Sequence, residues 1–175
     1  MRIRRLTICA MFLCAALMLA FLEFLLPPLP IPGMKLGLAN LAILCCVYSV
    51  GLAAGTAVAL LRWLVTGLLF GSGTSILFSL SGMVSVLGML CLLRLTGRIH
   101  GGRLSFAGIS VLTALAHNLG QLFCASLLYG WGREILLVYG GGLMLCGAGC
   151  GMLTGWICNL LFRRFGELTR GLQNL

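Results

Sequence analysis

Charge sits at so few positions that it leaves five long uncharged runs, residues 6–22, 36–61, 63–93, 104–132 and 135–162. A helix crosses the hydrocarbon core of a bilayer with about 20 apolar residues. Runs of this length and composition have no place in an ordinary soluble domain, where roughly a quarter of residues are charged. Here 12 Lys or Arg and 3 Glu carry all the formal charge of a 175-residue chain that is 61% hydrophobic. Such a chain folds with lipid as its solvent, and the fold class it implies is an all-α integral membrane bundle.

The runs resolve into helices at about 6–26, 36–49, 51–70, 74–95, 105–129 and 135–162, a single transmembrane domain over residues 1–175. The stretch 36–95 allows either two long helices or three shorter ones, and the cations decide between them. With six helices, Arg2, Arg4, Arg5, Arg94, Arg98, Arg103, Arg163, Arg164 and Arg170 all fall on one side, and only Lys35 and Arg133 face the other. Cytoplasmic loops carry the excess of Lys and Arg, so both termini are expected inside a bacterial cytoplasmic membrane. The turns then fall at Ser49-Val50-Gly51 and Gly71-Ser72-Gly73. Arg2, Arg4 and Arg5 before an apolar run resemble a secretory leader, but no polar mature region follows. Residues 2–26 are therefore read as a retained helix.

The net charge of +9 gathers at the ends of apolar runs, which marks membrane anchoring and contact with lipid, not nucleic acid. All nine cysteines lie within apolar runs without a CxxC spacing, and they read as small packing residues. Gly51, Gly55 and Ala59, and likewise Gly147, Gly151 and Gly155, recur every four residues. Such small-residue stripes let helix backbones approach.

Polar groups inside apolar helices are costly and face the bundle interior. Arg62 lies mid-helix in ALLRWLVTG, and His117, Asn118 and Gln121 lie in ALAHNLGQLF. His117 and Gln121, four apart, share a face. Asn40 lies in the second helix and Glu23 near the outer end of the first. In the six-helix topology Lys35, Asn40, Arg62, His117, Asn118 and Gln121 are candidates for one cavity open to the outer side. Four prolines, Gly33 and Lys35 in LPPLPIPGMKLGLAN make a constrained loop over its mouth. The positive end of the second helix adds to the potential there. Such a cavity suits an anionic or strongly polar ligand, with apolar walls for the remainder. The alternative is an internal network, with Arg62 paired to Glu23 and His117-Asn118-Gln121 bonded between helices.

No Walker A, GxSxG or HExxH motif is present. Three scattered glutamates and no aspartate cannot assemble the oxygen cluster that a Mg²⁺–diphosphate site requires. Catalysis, a metal and a cofactor are not expected of this chain.

The blocks PIPGMKLGLANLAIL (30–44), LLRWLVTGLLFG (60–71), SLSGMVSVLGM (79–89) and ALAHNLGQL (114–122) resemble the Gx transporter family, also catalogued as heptaprenyl diphosphate synthase component I. The resemblance spans about residues 10–165. The family is similar to the S components of energy-coupling factor (ECF) transporters. That similarity implies a six-helix protein that binds a ligand from outside and works with a T protein and two ATPases. It also implies a small-residue motif on the first helix for docking the T protein, matched by Ala16 and Ala20. The synthase name implies instead a non-catalytic partner of a prenyl diphosphate synthase catalytic subunit in menaquinone and isoprenoid synthesis.

Overall fold

The computed structural model describes residues 2–25, 38–70, 73–96, 105–130 and 132–173, together with the side chains of most residues up to 161. The described residues form six α-helices and no strand: α1 (Arg2–Leu25), α2 (Leu38–Ser49), α3 (Leu52–Phe70), α4 (Gly73–Leu95), α5 (Phe106–Tyr129) and α6 (Arg133–Gln173). The proline loop with Lys35, the Gly71-Ser72 turn and the loop beyond Thr96 lie outside the described residues.

Five helices, all except α2, are long and apolar enough to cross a membrane. Their outward faces carry side chains that only lipid accommodates, among them Leu6, Met11, Leu68, Leu127, Val138 and Leu145. α2 differs. Its 12 residues extend only about 18 Å at the usual helical rise, little more than half the hydrocarbon core. It is also buried on several faces. Leu44, Cys45 and Val47 join Val86, Leu90, Leu93, Ile109 and Cys158 in one cluster. Ile43 and Cys46 join Val58, Ala59 and Met83 in another. A helix apolar all round is one that packs in the middle of a bundle. α2 packs on α1, α3 and α6.

Local chemistry sets the helix ends. α2 closes with the Val50 N–H bonded to the Cys46 carbonyl at 2.9 Å, and Gly51 turns the chain at φ +123°. That backbone geometry suits glycine. The reversal lays α3 on α2 so closely that a Cβ on Gly55 would overlap the Val47 side chain. At α5 the Ser105 hydroxyl caps the first turn by accepting from the Gly108 N–H at 3.1 Å. Gly130, at φ 60°, ends the helix in the left-handed conformation.

The glycine stripe of α6 sits on α5. A Cβ at Gly155 would lie 2.5 Å from Ala107 Cα, and one at Gly151 would lie 2.8 Å from Val111 Cα. Gly147 faces Ala114 and the Asn118 amide. Contacts move down α5 as they move up α6, so the pair is antiparallel. The Ser110 and Thr154 hydroxyls hydrogen-bond across it at 2.8 Å. α6 continues as helix to Gln173, past the expected end at 162. Charge ends an apolar run, but it does not end a helix that has left the lipid.

Cys45 of α2 and Cys158 of α6, both buried, bring their sulfurs to 3.1 Å. A variant retaining only these two cysteines should cross-link α2 to α6 on mild oxidation. The expected readout is the loss of two hydrogens in the intact mass and of both thiols to alkylation. Two freely alkylated thiols after oxidation would place the helices differently.

Candidate functional site

Glu23 lies in the last turn of α1, and its Oε1 accepts a hydrogen bond from the Leu38 N–H at 2.9 Å. Leu38 is the first residue of α2. The carboxylate therefore sits at the positive end of the half-length helix, where the first N–H groups have no carbonyl partner within the helix. Arg62 projects from the middle of α3 into the same neighbourhood, within electrostatic range of Glu23. Its Nε is fully buried and has no hydrogen-bond partner among the described residues. One carboxylate, one guanidinium and the start of α2 thus lie in the same part of the bundle, contributed by α1, α2 and α3.

Asn40, the third residue of α2, is half-buried one turn into the helix, close in sequence to Leu38. The Asn118 amide is committed elsewhere. It donates to the Leu143 carbonyl at 2.9 Å and rests over Gly147, which ties α5 to α6. His117 turns toward α4, where its ring covers Gly82 so closely that a Cβ there would overlap it. Gln121 is buried on α5 and makes no hydrogen bond among the described residues. Trp63, next to Arg62, donates its indole N–H to the Ile76 carbonyl at 3.2 Å and so fixes α3 against α4. Among the expected site residues, Arg62 lies within electrostatic range of Glu23, whereas Asn118 serves helix packing. Lys35 lies outside the described residues.

The docking expectation assigned Ala16 and Ala20 of α1 to a T protein. Ala16 is 0% exposed and Ala20 half-buried, so the small stripe faces the bundle and lets α1 approach its own neighbours. A separate protein could not reach Ala16 in this conformation. The lipid-facing side of α1 carries Leu6, Met11, Met18 and Leu22 instead.

Sequence reasoning placed Glu23 in the outer half, converging on the cavity or paired with Arg62, and missed its role at Leu38. The signal was present: a lone carboxylate at the outer end of one helix and, across a proline loop, the start of the next. The Ser110–Thr154 pair carried no such signal, since hydroxyl residues within helices commonly bond their own backbone, as Thr154 also does to the Cys150 carbonyl. No group of three His, Cys, Asp or Glu that could hold a metal occurs among the described residues.

Five long apolar helices, lipid-type side chains on their outward faces and a short polar focus within define a multi-pass helical membrane protein. Comparison of the sequence with family models carries this further. The chain belongs to the family heptaprenyl diphosphate synthase component I, whose model matches residues 12–161. No curated protein and no solved structure matches it.

Proposed function

We propose that the chain is a non-catalytic, ligand-binding membrane component of the ECF S-component type, taking a small anionic or lipid-like molecule from the outer side. The observation that carries this reading is the buried Arg62 guanidinium. A cation held inside an apolar bundle is expensive and is retained where it has an ionic task. The positive end of α2 is directed at the same place. Arg62 is the principal contact, with Asn40, Gln121, His117 and Lys35 as further candidates. The transporter reading supplies a T protein and two ATPases as partners. The second reading follows from the family's name: a membrane subunit that assists a prenyl diphosphate synthase catalytic subunit.

Native mass spectrometry of the chain purified gently from its own membranes separates the two. The transport reading expects a T protein, ATPases and a retained small anion or amphiphile. A prenyl diphosphate synthase without ATPases would replace it with the subunit reading. Because Ala16 is buried, Ala16→Trp should unfold α1 from the bundle and so does not report on docking.

The same reading places both termini and the 96–104 loop in the cytoplasm of a bacterium, as the distribution of arginines favours. In a cysteine-free background, Arg98→Cys should resist membrane-impermeant thiol reagents in intact cells and react after the membrane is opened. Labelling in intact cells would reverse the assignment.

A further inference from the structure

The positive end of α2 already holds an anion, and that anion belongs to the protein. We propose that Glu23 is the resident occupant of an anion site formed by the first turn of α2 and the Arg62 guanidinium, and that a phosphate-class anion enters by displacing it. This rests on the ligand-binding reading above and adds to it how the site is filled when empty of ligand.

Two independent observations support the site. The Glu23 carboxylate accepts from the Leu38 N–H at 2.9 Å, as anions do at helix N-termini. Separately, the Arg62 Nε is fully buried and unpartnered among the described residues, and α3 folds back on α2 with Gly55 against Val47 and with Val58 and Ala59 in one cluster with Ile43, a register that brings Arg62 level with the first turn of α2. A guanidinium offers five N–H donors, and a helix start offers several more. Among the described residues, the Nε donor of that guanidinium is unused.

The chemistry of the incoming group follows from the tether. A carboxylate held by its own chain competes at a high effective concentration, so a second monocarboxylate gains little by replacing it. A group with more charge and more acceptor oxygens does gain. A phosphate carries about two negative charges and three acceptor oxygens, and it suits the arginine fork. Displacement also has a mechanical result. The bond from Glu23 to Leu38 latches the end of α1 to the start of α2, and the entering anion releases it.

Glu23→Gln separates occupant from strut. The amide oxygen still accepts from Leu38, so the cap is kept while the competing charge is removed. Binding is measured on detergent-purified protein with inorganic diphosphate, and on protein in phosphatidylcholine nanodiscs with and without phosphatidic acid. Glu23→Gln should bind at least one probe about tenfold more tightly than the unaltered protein. Adding Arg62→Ala should abolish the gain. A gain toward diphosphate assigns a soluble anion, and a gain toward phosphatidic acid alone assigns a lipid headgroup. Equal or weaker binding by Glu23→Gln overturns the proposal, as does a gain that survives Arg62→Ala. A ligand retained by the unaltered protein in native mass spectrometry would then leave the binding function standing while removing Glu23 from it. If Glu23→Gln lowers the melting temperature, Glu23→Ala serves as second variant. It removes cap and charge together and should show the same gain in affinity despite lower stability.

Discussion

Gly151→Leu should destabilise the protein by about 3 kcal/mol, toward the upper end of what overpacking usually costs. Even a Cβ at this position would stand 2.8 Å from Val111 Cα and 3.1 Å from both Ala114 Cβ and the Ser110 carbonyl oxygen. Two of these obstacles are backbone, so no rotamer change makes room. α6 must move away from α5, and the Ser110–Thr154 and Asn118–Leu143 hydrogen bonds go with it. At about 2–4 °C per kcal/mol for a chain of this size, the melting temperature in detergent should fall by about 6–12 °C. Gly149→Leu is the control, because a Cβ at Gly149 meets nothing within 4 Å. Equal melting temperatures for the two variants would mean that the stripe does not form this interface.

Arg62→Met is expected to act on stability and ligand retention together, and a second substitution should then part them. Alone, it removes the cation within electrostatic range of Glu23, which should lower the melting temperature. Adding Glu23→Gln removes the orphaned charge and should recover most of that stability, while ligand retention stays lost. Thermal melts and native mass spectrometry of the single and double variants measure both. Full stability and full retention in Arg62→Met would mean that the arginine merely reaches for the interface. Recovery of retention in the double variant would mean that the ligand does not use the cation.

The helices were legible in the sequence because charges and glycines punctuate them. Arg94 and the Arg133-Glu134 pair bracket apolar stretches of recognisable length, and Gly51 sits where a turn was expected. The stripe of Gly147, Gly151 and Gly155 was legible for the same physical reason that it works, since only small side chains permit the approach. The direction of a face was not. Ala16 and Ala20 carry no mark of whether they meet a neighbour within the chain or one outside it. α1 is apolar on every side, so its burial is decided by partners that a one-dimensional pattern does not name. The charged site was half legible. Arg62 stood out by its cost, but the bond from Glu23 to the Leu38 N–H depends on where a backbone donor lands after a proline-rich connection, and no side-chain pattern encodes that.

α2 also has a consequence for how the chain is assembled. A 12-residue helix packed against α1, α3 and α6 is short for a bilayer crossing and has little exposed flank to rest stably in lipid alone. During synthesis it emerges long before α6, which covers Cys45 with Cys158. It is therefore expected to enter the membrane as a hairpin with α3 across Gly51. The bundle reaches its final form only when the last helix closes over it. A ribosome-bound chain truncated before residue 133 should leave Cys45 open to a lipid-permeant maleimide that the finished protein excludes.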